Sequence, residues 1–559
     1  MIPTLLTSAA LACGGTFCDA PPDPSVPSTM RVDQTEERIV FAIEEDGTVE
    51  VHVQVSYEGS ARDFAWLVPV PDVPELQTSS RALFARLDAD TAPVWSLRYR
   101  NEGTCRSQRT RQSPPTNAWD GLACVGFECD SLDEDTAPTV ELVNSETVGP
   151  YETVVLEASS ADDLITWLQD NAFLVPDDAA ERMRPYVDAG SHFVALRLAS
   201  DQDAGDIVPL SFRYRSDTAA IPLQLTGVAA DPDMRLHVWV LGEHRAVPES
   251  YLHVGVNPFA IAWQTGGANY DSVISRAADE AGGQGFATDA AIPSEELERL
   301  WVPVDPEGLV DGVRTVSAQE ALRRAVALGV PVDEDTAAVI GRHVAFPVAA
   351  AEAGFDDLGW FSCVSQSACA NAWPELLAEL PDVDTAALAA DLETDWLDVL
   401  ERNQELLDRH GVVTRLRSSM GPEEMSADPT FVLNPDLALV DRVRRATLVR
   451  DCGKRRYLHR DAPRWLELED GRRARVPPGT GTTGLLELEA AVAPWAAEVV
   501  ERTGRTGQPV VLTSNTDAIA AALEELEVAQ GCGCTTRTGG GWWILPALLV
   551  GLRRRRDGR

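Results

Sequence analysis

The sequence predicts an α+β protein with a mainly antiparallel β N-terminal half carrying inserted helices, a helix-rich middle and a small α+β C-terminal part. Three observations lead there. Up to about residue 265, β-branched and aromatic residues alternate with polar ones in short runs broken by Asp-Gly and proline. From about residue 268 the apolar residues recur near the helical period. Alternating runs then return around a second Asp-Gly turn. A chain of 559 residues exceeds one core, so about two to four domains are expected. The pattern divides it into 1–12 (export signal), 13–265 (β-rich), 266–425 (helix-rich), 426–530 (small α+β) and 531–559 (tail).

Each element has a local reason. In "RIVFAIEEDGTVEVHVQVSY" two β-rich runs flank Asp46-Gly47, a hairpin signal. Val49, Val51, Val53 and Val55 alternate with Glu50, His52 and Gln54, predicting one buried and one wet face. "FAWLVPVPDVPE" reads as a strand running into Pro69, Pro71 and Pro74, which lack the N–H that a ladder needs. "SSADDLITWLQDNAF" reads as a capped helix with Leu164, Trp167 and Leu168 on one face. "HFVALRL", "IVPLSFRYR", "IPLQLTGVAA" and "LHVWVLG" read as four strands of an antiparallel sheet. In "DTAALAADLETDWLDVLERNQELLDRHG", Leu388, Leu392, Trp396, Val399 and Leu406 mark a helix, with Gly411 as its C-cap. "PRWLELEDGRRARVP" reads as a hairpin, and "PVVLTSNTDAIAAALEELE" as a strand feeding a helix.

The charge balance narrows the function classes. Asp and Glu number 88 against 47 Lys and Arg, a net charge of −41, which excludes a nucleic-acid binder because phosphate contact needs a basic face. It favours a soluble, self-repelling surface. The bases are almost all arginine; Lys454 is the one lysine.

The ten cysteines cluster as Cys13 with Cys18, Cys105 with Cys124 and Cys129, Cys363 with Cys369, a lone Cys452, and Cys532 with Cys534. Spacings of this kind suit local disulfides in an oxidising compartment, and no C-x2-C pair points to a zinc knuckle. Cys13–Cys18 and Cys363–Cys369 are the simplest pairings, while the remaining connectivity stays open.

The two ends read as addresses. "MIPTLLTSAALAC" is an apolar run closing on Ala10-Leu11-Ala12, a cleavage pattern, although it is short and lacks a basic start. Cys13 also permits a lipoprotein reading, against which Ala10 stands where a lipobox has leucine; ordinary cleavage is preferred. At the other end, Trp542 to Leu552 is shorter than the roughly 20 residues a spanning helix needs and contains Pro546. Arg553, Arg554, Arg555 and Arg556 follow as a basic stop. Cys532-Gly533-Cys534, the spacer, the apolar run and the arginines resemble the MYXO-CTERM sorting tail of myxobacterial surface proteins. That resemblance implies processing at Cys532 or Cys534 by a dedicated enzyme, membrane attachment through the tail and display at the cell surface.

"ACGGTFC", "ERIVFAIEEDGTVEVHVQVSYEG", "FAWLVPVPDVPE", "TVGPYETVVLEA" and "HVWVLGEHRAVPESYLHV" resemble a domain of unknown function found in exported proteins of myxobacteria and other bacteria. The likeness runs from Cys13 to roughly residue 350. It implies export and one large α+β body, and brings no catalytic residues with it.

The chain lacks a Gly-x-Ser-x-Gly elbow, a Walker loop, HExxH and a dinucleotide fingerprint. His237, His244 and His253 form the densest group of potential bases or ligands, but no carboxylate partner is placed by sequence, so ordinary strand or loop roles are favoured. Asp201, Asp203 and Asp206 echo a calcium loop without its distal glutamate and read as a turn. "DADTAP", "DEDTAP" and "DEDTAA", from Asp88, Asp133 and Asp333, read as acidic turns or helix starts rather than repeats. Cys452 in "DCG" reads as structural rather than nucleophilic. The expectation is a non-enzymatic surface protein that binds an unidentified envelope or surface ligand, without cofactor. The alternatives are an exported hydrolase with a site near His237 and His244, or a calcium-stabilised adhesive domain.

Overall fold

The computed structural model describes residues 10–11, 15–19, 33–58, 65–104, 140–198, 208–300, 305–314, 333–344, 348–365, 383–453, 462–476 and 495–531, apart from 172, 177 and 217, together with 316, 320, 323–324, 330–331 and 372–373. With 33% helix and 39% strand it is α+β, as the sequence predicts.

Two sheets face each other across the main core. The ten-stranded sheet runs, edge to edge, Val510–Ser514, Ala497–Arg502, Leu252–Val256, Gly285–Pro293, Val412–Met420, Ala230–Gly242, Asp33–Ile43, Thr48–Glu58, Leu210–Arg215, Glu75–Thr78. The six-stranded sheet runs Phe173–Leu174, Gly15–Asp19, Ala65–Val70, His192–Leu198, Tyr151–Ala158, Val140–Val148. Ile39, Phe41, Val51 and Val238 of the first meet Trp66, Val68, Val155 and Leu196 of the second. Each such side chain contributes roughly 1.5–3 kcal/mol when fully buried. The outer face of the six-stranded sheet is covered by helices Ala161–Asp170 and Ala179–Asp188. That of the ten-stranded sheet is covered by Arg81–Thr91 and Asp398–Arg409. The layers run helix, sheet, sheet, helix, and strands from 13–265, 266–425 and 426–530 share the larger sheet.

The first hairpin forms where Asp46-Gly47 predicts it, with Gly47 at φ 77°, a left-handed value that favours glycine. Val49, Val51 and Val53 are buried as expected, but the opposite face is not wet. His52 is also buried and bonds Ser79 Oγ through Nδ1 at 2.7 Å, because helices cover that side. Three further expectations change. The strand Ala65–Val70 passes through Pro69, which has a registered neighbour, Phe193, on the His192–Leu198 strand. "IPLQLTGVAA" forms a helical turn at Leu223–Thr226 rather than a strand, since Pro222 lacks an N–H and suits a helix start. Gly411 has no left-handed φ; the helix ends in extended backbone at His410.

The middle of the chain packs helices around Trp360, Leu388 and Trp396. Its long predicted helix is Thr385–Asp391, a π-helical turn at Leu392–Leu397, then Asp398–Arg409. Two of the acidic motifs differ in place: Asp333 caps Glu334–Gly341 in a capping box, whereas Asp88 lies inside helix Arg81–Thr91; Asp133 lies outside the described residues. Ser160 caps Ala161–Asp170 as expected.

Cys363 and Cys452 are both buried and disulfide-bonded, so Cys452 is structural but not solitary. Cys13, Cys105, Cys124, Cys129, Cys369, Cys532 and Cys534 lie outside the described residues, as do Trp542 to Leu552 and Arg553 to Arg556; Cys18 falls on the Gly15–Asp19 strand. Among the described residues no helix is long and apolar enough to cross a membrane.

Candidate functional site

The histidines singled out in the sequence separate in space. His237 is buried in the middle of the Ala230–Gly242 strand, in register with Arg417 on one neighbour and Arg38 on the other. Burial and the charges of Arg417 and Arg415 push its pKa down to about 2. Its Nδ1 accepts a hydrogen bond from Arg415 Nη2 at 3.2 Å. A ring so reluctant to take a proton is no general base. His244 is exposed in the turn beyond the strand's end at Gly242. The two are separated by roughly 16 Å of extended strand and share no site. Asp201, Asp203 and Asp206 lie outside the described residues. Among the described residues no group of three His, Cys, Asp or Glu side chains is placed to hold a metal.

His253 is different. It lines a cavity of about 450 Å³ between the larger sheet and a four-stranded sheet made of Val94–Gly103, Val443–Gly453, Arg464–Leu468 and Arg473–Val476. The apolar wall is aromatic. Trp95 meets Trp263 edge-on with centroids 5.0 Å apart and Tyr270 at 5.2 Å. The Trp95 ring lies against Gly267, at φ 80°, where an added Cβ would come within 2.2 Å of it. Trp263 is fixed by its indole N–H donating to the Pro258 carbonyl at 2.8 Å.

The polar wall carries four arginines, Arg245, Arg444, Arg445 and Arg472, against three carboxylates, Glu469, Asp470 and Glu498. Arg472 is paired with Glu498 and Asp470, and Arg445 with Asp441 at 3.1 Å. Arg245 and Arg444 have no carboxylate at ion-pair distance among the described residues. Arg444 donates to the backbone carbonyls of Asp289, at 2.8 Å, and Asp441. Arg245 donates to the Ala438 carbonyl at 3.2 Å and to Thr288 Oγ1 at 3.3 Å. Its Nε is buried without a hydrogen-bond partner among the described residues. Desolvation lowers the Arg245 pKa, opposed by the Glu501 charge. In a chain of net charge −41, a cavity with a surplus of positive groups is a local reversal of sign.

Three adjacent strands bring a chain of polar groups to this wall. Glu501 is opposite His253 in register, and Thr288 lies two residues beyond Phe286, the other neighbour of His253. His253 Nδ1 is 3.0 Å from Glu501 Oε2, and Nε2 is 3.1 Å from Thr288 Oγ1. The hydrogen bond from His253 holds the Glu501 carboxyl below its ordinary range. A β-bulge between Thr288 and Ala290 interrupts the pairing with Val412–Met420. The bulge spares Asp289, which turns into the core.

Behind the cavity, Asp289 is fully buried and accepts a 2.5 Å hydrogen bond from the Tyr270 hydroxyl at Oδ1. Its Oδ2 lies 3.1 Å from Arg415 Nε, an ion pair without hydrogen-bond alignment. A second cavity of about 450 Å³ is lined by Asp233, Arg235, Asp271, Arg276 and Arg417; Arg235 is matched with Glu36, Arg417 with Asp271, and Arg276 donates to the Ser272 carbonyl. A smaller one of about 40 Å³ lies at Ser79, Asp335 and Trp396, where Asp335 is paired with Arg81.

Sequence reasoning reached His253 but missed Trp95, Arg245, Thr288, Arg444 and Glu501. These come from distant parts of the chain, and no local spacing could have joined them.

Residues 7–294, just over half of the chain, match the model of a family described as an uncharacterized protein conserved in bacteria. The match includes Arg245, His253 and Thr288, ends before Arg444 and Glu501, and stops short of the residue 350 that the sequence resemblance suggested. No curated protein and no solved structure matches the chain.

Proposed function

The chain belongs to this bacterial family, DUF2330, and on that premise we propose that it is an exported, surface-displayed protein that captures a small anionic, ring-bearing ligand in the Trp95–Arg444 cavity. One observation carries the binding reading: Arg245 and Arg444 line an aromatic cavity without a carboxylate partner among the described residues. Partly desolvated guanidinium groups favour an incoming carboxylate or phosphate, and the Trp95–Trp263 wall offers apolar surface to a ring.

Calorimetric titration with benzoate, phenyl phosphate, benzyl alcohol and benzylamine tests it. The two anions should bind, more weakly as salt rises, and the neutral and cationic analogues should not. Each lost charge-assisted contact is worth about 1.5–3 kcal/mol, so Arg245→Ala with Arg444→Ala should weaken anion binding by about 100-fold or more. Equal binding of benzyl alcohol, or no binding of either anion, would sink the reading.

The export and display parts rest on the two ends of the sequence. The apolar run from Trp542 to Leu552 is short for a secure span, and the arginines after it would hold it at the membrane for processing near Cys532 or Cys534. Lasting retention then calls for lipid on those cysteines. Mass spectrometry of the C-terminal peptide from native cells should find a terminus upstream of Trp542 and a modified cysteine. An intact Arg559 with both cysteines bare would overturn this.

A further inference from the structure

We propose that Thr288, His253 and Glu501 form a nucleophile, base and carboxylate relay that hydrolyses esters of small acids carrying a second anionic group, inside the cavity that binds the anion. The inference rests on the anion-binding reading and adds a reaction to it.

Donor and acceptor arithmetic fixes the relay. An ionised Glu501 can only accept, so His253 Nδ1, at 3.0 Å, carries the proton. In the neutral imidazole Nε2 then holds a lone pair. Arg245 Nη2 has only protons to offer and donates to Thr288 Oγ1 at 3.3 Å. The single Thr288 hydroxyl proton is therefore free to point along the 3.1 Å vector to His253 Nε2. The order carboxylate, imidazole, hydroxyl has the distances of an activated nucleophile. It comes from three neighbouring strands, and Thr288 keeps its register opposite Leu416 while the bulge falls on the next residue, Asp289.

The reaction balances with water as the one co-reactant. Thr288 Oγ1 bonds to the ester carbonyl carbon while His253 Nε2 takes its proton, and Glu501 stabilises the imidazolium through Nδ1–H. Arg245, already beside the attacking oxygen, faces the negative charge that develops on the carbonyl oxygen. Collapse breaks the C–O bond to the alcohol, which leaves with the proton from His253. Water then attacks the acyl-threonine, giving its proton to His253, which returns it to Oγ1 as the acid departs. Arg444 is the group left to hold the substrate's second anion, and Trp95 and Trp263 take its ring.

The probe is the mono-4-nitrophenyl ester of glutaric acid, with the corresponding 4-nitrophenyl amide as a slowly cleaved analogue. The intact protein should release nitrophenolate and show an acyl mass adduct on the Thr288 peptide. Thr288→Ala and His253→Gln should lower kcat by about 100-fold or more while still binding the amide, which certifies their fold. Thr288→Ser should retain turnover. Glu501→Gln should lower kcat more than it raises KM and displace the acidic limb of the pH profile. Amide binding without turnover by the parent protein, or undiminished turnover in Thr288→Ala, would overturn the relay and leave the anion site standing. Failure of both amide and ester to bind would remove both.

Discussion

Replacing Asp289 by alanine should cost about 3–5 kcal/mol of folding stability, the range for breaking a buried ion pair on one side. Asp289 is fully enclosed and Arg415 is 2% exposed, so removing the carboxylate strands a guanidinium where water cannot follow. Arg415 keeps Asp88 at 2.8 Å, but that carboxylate is 40% exposed and shares its field with solvent. The Tyr270 hydroxyl also loses its acceptor, in a ring that forms part of the cavity's aromatic wall. Asp289→Asn should cost less, since an amide oxygen still accepts from Tyr270. Urea denaturation of the three proteins measures the difference. A loss below about 1 kcal/mol in Asp289→Ala would show that Asp88 alone balances Arg415.

The same residue shows where reading a sequence runs out. "GFATDAAIP" looks like a strand with a polar interruption, and nothing in it says that Asp289 meets an arginine more than a hundred positions later. The hairpin at Asp46-Gly47 and the Ser160 cap were legible because both are decided within a few residues by backbone conformation and local hydrogen bonds. The expected wet face of Thr48–Glu58 failed for the opposite reason. Alternation shows that Val49, Val51 and Val53 share a face, but covering of the other face depends on Arg81–Thr91 and Asp398–Arg409, which are remote. Pro222 misled in a third way: β-rich composition around it suggested a strand, while its fixed φ and missing N–H favoured a helical turn.

The candidate site was legible only as a cluster of three histidines. Their spacing gave no means to rank them, because rank came from environment. His237 lies between two arginines, His244 lies in solvent, and His253 faces Glu501 across a strand pair. The charge total was misleading in the same sense: a chain of −41 still gathers in one cavity two guanidiniums with no carboxylate at ion-pair distance among the described residues. Net charge describes the far field, and a pocket answers to the near one.

That near field makes acid sensitivity the second large expected effect. His237 has an ordinary pKa of 6.5 and a folded value of about 2, lowered by burial first and then by Arg417, Arg415, Arg38 and Arg235. Below pH 6.5 the unfolded chain takes a proton that the folded one refuses. The stabilisation is therefore complete above that pH and drains away as pH falls toward the folded value. One pH unit corresponds to about 1.36 kcal/mol, so His237 alone should remove about 2 kcal/mol between pH 6.5 and 5. Asp428 acts the other way. Desolvation raises its carboxyl from 3.8 to about 6, so its contribution grows as pH falls through that window. Glu50, also held near 2, begins to matter only below its ordinary 4.5. The informative quantity is thus the difference between the parent protein and His237→Gln, which keeps an acceptor for Arg415 but has no proton to gain. Stability measured by urea at pH 7 and pH 5 should fall further in the parent, by about 2 kcal/mol. Parallel losses in the two proteins would mean that the imidazole relaxes away from the arginines and takes its proton without unfolding the sheet.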